Sequence, residues 1–184
     1  MLKVLLIIPG FGESPTDAPY QRLKALCSER YRVVTFTPHW KYRVASDWLI
    51  EFYDMLKKID TNNTTVVCFS LGAYITLLAA EQVSFRKVIF CSISPFFREQ
   101  LASAPDAAKQ YFGKRRVTDF GKHRLPKQLK TRQTVFLFGS LEWPHAIVES
   151  ERLALLYRAK HELVQNAEHE LSDEYLREIV KHLQ

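Results

Sequence analysis

Residues 64–74 read Thr-Thr-Val-Val-Cys-Phe-Ser-Leu-Gly-Ala-Tyr, and their order decides the fold. The run from Thr65 to Phe69 is β-branched and aromatic, which suits a buried strand, and Leu71 to Glu81 is helix-forming and apolar almost all round. Ser70 stands at the junction, where only a tight turn can reverse the chain. Small residues, Cys68 and Gly72, lie two places before and after it. They are needed if the strand and helix backbones are to touch. A serine on such a strand–turn–helix has its hydroxyl lifted clear of the sheet.

Working outward, strand and helix signals alternate along the whole chain. Residues 3–8 are a short apolar run that suits a strand buried on both faces, followed by the turn Pro9-Gly10-Phe11-Gly12-Glu13-Ser14. A helix is predicted from about Asp17, its N-cap, to Glu29, with Tyr20, Leu23, Leu26 and Cys27 on the buried stripe. Tyr31 to Thr37 is a second strand. An amphipathic helix starts at Ser46 or Asp47 and buries Trp48, Leu49, Phe52, Met55, Leu56 and Ile59. Arg86 to Ser92, Thr134 to Phe138 and Lys160 to Val164 complete six strands. Helices follow Glu142 and Ser172, the last burying Tyr175, Leu176, Ile179, Val180 and Leu183. This alternation predicts one α/β domain over residues 1–184, a three-layer sandwich of a six-stranded, mainly parallel sheet with helices on both faces.

Residues 96–132 break the alternation, with Pro105 and Pro126 marking breaks between short helices. The segment carries ten Lys and Arg against three Asp and Glu, a charge of +7 in a chain of net charge +6. It reads either as a solvated lysine-rich surface or as a basic lid that attracts an acidic or carrier-bound substrate.

Chemistry-bearing residues fall at strand ends, where open α/β sheets place their sites. A serine hydroxyl is a weak nucleophile until a base takes its proton. His169, in Asn166-Ala167-Glu168-His169-Glu170-Leu171 after the sixth strand, is the candidate base. Glu142, in Phe138-Gly139-Ser140-Leu141-Glu142-Trp143-Pro144 after the fifth, is the candidate for the acid that orients it. Asp173 is a second choice, and the end of the fourth strand, Ser92-Ile93-Ser94-Pro95, offers no acid. His145 stands near Glu142. Cys68 is a rival nucleophile only if exposed, and its place inside a strand argues against that.

In this order of serine, acid and histidine the whole chain resembles a minimal α/β-hydrolase, one without the two N-terminal strands of larger members. The resemblance implies a spatial strand order of 2-1-3-4-5-6 and a serine-hydrolase triad of Ser70, His169 and Glu142. It also implies oxyanion donors from the backbone N–H groups of Phe11 and Leu71. Gly10, Gly12, Trp143, Phe96 and Phe97 are the expected substrate-binding residues. Three departures from the family pattern are visible: Pro9-Gly10 where many relatives have His-Gly, Cys68 for the first elbow glycine, and Glu142 where Asp is commoner.

Three cysteines without CxxC spacing argue against a disulfide framework or a zinc site, and point to reduced thiols and a cytoplasmic setting. No histidine pair has metal-ligand spacing, so neither a metal nor a cofactor is expected. No apolar run approaches the ~18 residues of a membrane span. The excess charge sits on one insertion with no nucleic-acid motif beside it, which disfavours a nucleic-acid binder. The expected partner is a small-molecule ester or thioester, or an acyl group on a carrier, with monomer and homodimer both open. The competing expectation is a catalytically inactive member of the fold that binds an acidic protein through the insertion.

Overall fold

The computed structural model describes residues 3–184. In chain order the elements are β1 (Lys3–Ile8), α1 (Ala18–Cys27), β2 (Tyr31–Thr35), α2 (Ala45–Leu56), β3 (Thr64–Phe69), α3 (Ser70–Ala79), β4 (Lys87–Cys91), α4 (Asp106–Phe120), β5 (Thr134–Gly139), α5 (Pro144–Leu156), β6 (Lys160–Val164) and α6 (Asp173–Leu183). The strands form one all-parallel sheet in the order β2-β1-β3-β4-β5-β6.

Strand side chains alternate between two cores because successive residues point to opposite faces. Leu6 and Ile8 of β1, Val66 and Cys68 of β3, and Phe136 and Phe138 of β5 pack beneath α2, α3 and α5. Leu5, Ile7, Val67, Phe69, Val135 and Leu137 face α1 and α6 on the other side. The central strands therefore read as unbroken apolar runs. α3 is buried along its whole length, which explains a helix with no polar face. β1 and β3 are adjacent although α1 leaves to one face and α2 returns on the other, so the loops after these two strands open a crevice between them.

Several expectations change in detail: β2 ends at Thr35, α2 begins at Ala45, and Val180 of α6 is only half-buried. Leu26 is 59% exposed, whereas Tyr20, Leu23 and Cys27 are buried. At about 100° per residue Leu26 falls roughly 90° from the centre of that stripe. Asp17 occupies the N-cap position of α1 without capping it, because its carboxylate accepts the Ser14 N–H (2.8 Å) and braces the loop after β1 instead. In the insertion a single helical stretch, α4, is broken at Gly113, whose φ of 75° and ψ of 157° are open to glycine but strained for other residues. The half before Gly113 carries Ala107, Ala108, Tyr111 and Phe112 over the sheet's carboxyl edge, and the half after it carries Lys114, Arg115 and Arg116.

Candidate active site

Ser70 is the first residue of α3, with φ of 51°. A left-handed serine costs about 1–3 kcal/mol, held in place here by the packing around it. Gly72 sets that packing: a Cβ on it would lie 2.3 Å from the Pro9 carbonyl oxygen and 2.8 Å from that of Ile8. Any side chain would push α3 off the end of β1.

The Ser70 hydroxyl meets His169 Nε2 at 3.0 Å, and His169 Nδ1 meets Glu142 Oε2 at 2.8 Å. Three strand ends thus converge, those of β3, β5 and β6. The imidazole is flanked by Phe69 and by Trp143, which stacks at 5.4 Å and 30°. Its loop is laced to the turn after β5 by Leu141 N–H to Ala167 carbonyl (3.0 Å) and Asn166 N–H to Ser140 Oγ (3.0 Å). Gly139 allows this approach, since a Cβ there would sit 2.3 Å from the Ala167 carbonyl oxygen.

The Glu142 side chain is wholly buried. Isolating a carboxylate from water is costly unless its lone pairs are occupied. Here Oε1 accepts from the Gly139 N–H (3.0 Å), the Tyr175 hydroxyl (2.8 Å) and the Ser92 hydroxyl, leaving Oε2 for the imidazole. Burial and the adjacent Glu142 charge push the Tyr175 phenol far above its ordinary range, so it stays a donor. Ser94 Oγ, 3.1 Å from Ser70 Oγ, is a further polar neighbour.

Asp173 does not reach this cluster; it pairs with Arg22 on the surface (2.7 Å). Cys68 is fully buried with its thiol toward the Ile89 carbonyl (3.5 Å), and burial pushes that thiol well above its ordinary range. Neither position nor ionisation suits it as a nucleophile.

Leu71 is the second residue of α3, where a helix has no internal acceptor for its N–H. Phe11 lies across the crevice in the loop after β1. That loop is held by the Glu13 carboxylate, whose Oε2 accepts from the Gly10 N–H (2.7 Å) and the Tyr20 hydroxyl. Phe11 is caged by Trp40, Trp48 and Phe112, with the Arg116 guanidinium 4.9 Å from its ring.

A cavity of about 610 Å³ opens over Ser70 and His169. Phe11, Ile93, Phe96, Tyr111, Phe112 and Trp143 are the large apolar residues of its upper wall and rim, beside Phe69, Pro95, Pro105 and the alanines of α4. Phe97, expected among the lining residues, points the other way: it is fully buried and stacks on Tyr74 at 4.7 Å. Phe96 and Phe97 are consecutive, so one reaches the cavity and its neighbour the core. Gly10 and Gly12 shape the loop through the backbone, Gly12 with φ of 80°, and do not line the cavity. None of the ten Lys and Arg residues of the insertion lines it either. Arg116 is spent on the carbonyls of Trp40, Arg43 and Phe112, while Lys114, Arg115 and Lys122 border a separate surface groove of about 570 Å³. Among the described residues, no three His, Cys, Asp or Glu side chains are grouped so as to hold a metal ion, and no helix is long and apolar enough to cross a membrane.

The sequence model of the serine hydrolase family matches residues 5–169, which span every element from β1 to the histidine loop. The chain belongs to the serine hydrolase family. No functionally curated protein matches this serine hydrolase in sequence. Solved structures do match in fold. Est1E from Butyrivibrio proteoclasticus superposes with a TM-score of 0.76 at 14% identity, over 99% of this chain and 85% of its own. The ydeN gene product from B. subtilis gives 0.75 at 20% identity, over 98% and 96% of the two chains. Alpha/beta hydrolase domain-containing protein 10 from mouse gives 0.76 at 14%, over 98% and 90%.

Four residues around this candidate site are not among the site residues expected from the sequence: Ser92, Ser94, Tyr175 and Glu13. Ser92 immediately follows β4, where the sequence offers no acid, and its φ of 46° turns its hydroxyl to Glu142. Tyr175 fits the buried stripe of α6 by periodicity, and its one distinguishing mark is a hydroxyl in an otherwise aliphatic series.

Proposed function

We propose that this serine hydrolase is an esterase that works through an acyl-enzyme. Ser70 Oγ attacks the ester carbonyl as His169 Nε2 takes its proton. His169 returns that proton to the leaving oxygen, then activates a water that releases the acid. Glu142 holds the imidazole with Nδ1 protonated and stabilises the imidazolium. The Phe11 and Leu71 N–H groups receive the tetrahedral oxygen, aided by the positive end of α3. The observation that carries the reading is the continuous Ser70–His169–Glu142 relay at 3.0 and 2.8 Å. A misaligned triad, expected of an inactive member of the fold, would lack it.

The cavity favours a substrate with an apolar acyl or aryl portion, since aromatic and small aliphatic side chains make up most of its wall. The half of α4 before Gly113 acts as its lid. An acidic small molecule is disfavoured, because the insertion's basic side chains lie elsewhere.

The test is hydrolysis of p-nitrophenyl esters of graded acyl length, with intact mass recorded after rapid acid quench. One acyl group on wild type and none on Ser70→Ala supports the mechanism; undiminished turnover in Ser70→Ala overturns it. A second reading rests on the groove bordered by Lys114, Arg115 and Lys122. It would dock an acidic carrier that presents a thioester to the same triad, and salt-sensitive turnover of carrier-bound over free acyl thioesters would distinguish it.

A further inference from the structure

We propose that Glu13 is a recognition residue, whose free carboxylate oxygen takes a hydrogen bond from an ammonium or hydroxyl group on the substrate. The inference builds on the esterase reading and adds a substrate class to it. Glu13 lines the catalytic cavity, yet only Oε2 has structural partners, the Gly10 N–H and the Tyr20 hydroxyl. Among the described residues, Oε1 has no hydrogen-bond partner and no Lys or Arg lines the cavity beside it. The second wall carboxylate, Glu142, has both oxygens occupied. Glu13 is therefore an anion with one open acceptor in a mostly apolar wall.

Such a group ranks ligands by charge. An ammonium meets it with a charge-assisted hydrogen bond, a hydroxyl with a weaker one, a methyl with none, and a carboxylate is repelled. The recognised class is an ester bearing a hydrogen-bond donor at a distance from the scissile bond, with an amine preferred. The basic surface is no obstacle, since its charges lie outside the cavity.

The experiment compares kcat/KM for matched esters ending in amino, hydroxyl, methyl or carboxyl groups. Chain length is varied, and the group is placed on the acyl half in one series and on the alcohol half in another. For wild type the amino-to-methyl ratio is expected to reach about tenfold or more at the best length in one series, the size of a hydrogen bond to a charged group. In Glu13→Gln, which keeps an acceptor for Gly10 and Tyr20, the ratio falls to within about twofold. Glu13→Asp retains the charge and a preference for the amine, which guards against a folding defect in the first variant. Tyr20→Phe loosens the loop without touching Oε1, so it lowers all rates together and preserves the ratio. A ratio near one in wild type at every length, or a ratio that survives Glu13→Gln, overturns the proposal while leaving the esterase reading intact. If no ester is turned over and Ser70 is not labelled by a fluorophosphonate, the esterase reading falls and this inference with it.

Discussion

Two glutamates face the same cavity, each with a buried tyrosine as its partner, and they differ in what is left over. Glu142 is sealed: Tyr175, Ser92 and Gly139 occupy one oxygen and His169 the other. Glu13 is held on one side alone, by Tyr20 and Gly10. A carboxylate with every lone pair occupied has one geometry, which suits a group that must hold an imidazole in a single tautomer. One with an open oxygen, and with no Lys or Arg among the described residues lining the cavity beside it, is suited to meeting a ligand. The same side chain thus serves as internal scaffold or as contact surface according to how many donors the fold aims at it.

The largest expected effect separates the two directly. Glu142→Gln lowers kcat by about 10⁴-fold, because an amide no longer fixes the imidazole tautomer or stabilises its charge. Glu13→Gln costs a plain alkyl ester at most about tenfold, since a neutral acceptor still serves the loop. Steady-state kinetics on one p-nitrophenyl ester measures both, and equal losses would erase the distinction.

The tyrosines sharpen it. Tyr175→Phe removes one donor from a buried charge and is expected to lower kcat by about 10- to 100-fold with little change in KM. Burial, reinforced by the neighbouring carboxylate, raises both the Tyr20 and Tyr175 phenols far above their usual range. The folded protein then keeps protons that the unfolded chain releases near pH 10. Stability from these groups is fully present below pH 10 and is lost as pH rises beyond it, by up to about 1.4 kcal/mol per pH unit for each phenol. Urea unfolding between pH 9 and 11 should show a shallower decline in Tyr20→Phe and in Tyr175→Phe than in wild type. An unchanged slope in both would mean that these phenols titrate normally.

The smallest effect concerns the insertion. Lys114→Glu, Arg115→Glu and Lys122→Glu combined reverse the charge of the outer groove and should change kcat/KM on a neutral ester by less than about twofold, because exposed charges away from the cavity are screened. A loss of tenfold or more would place those charges in the substrate's path.

What could be read from the sequence follows the same division. Strand order, elbow and the meeting of Ser70, His169 and Glu142 were legible because each of the three stands just past a strand and at or shortly before the start of a helix. Direction was not legible. Counting charges in residues 96–132 finds a strong excess, but not that Arg116 turns inward onto backbone carbonyls while Lys114 and Arg115 turn away from the cavity. Phe96 and Phe97 read alike as aromatics, and only the path of the backbone sends one to the cavity and the other onto Tyr74. Ser92 and Tyr175 were hidden for a related reason. A serine just past a strand and a tyrosine in a helical stripe look like edge and core until the tertiary fold brings both hydroxyls to the same oxygen of Glu142.

The relay itself is tested most directly by covalent labelling with a fluorophosphonate probe, read by intact mass, on wild type beside Ser70→Ala and His169→Ala. An activated Ser70 predicts one probe per wild-type chain and none on either variant. A folded wild type that stays unlabelled, or labelling that persists in Ser70→Ala, would contradict the account.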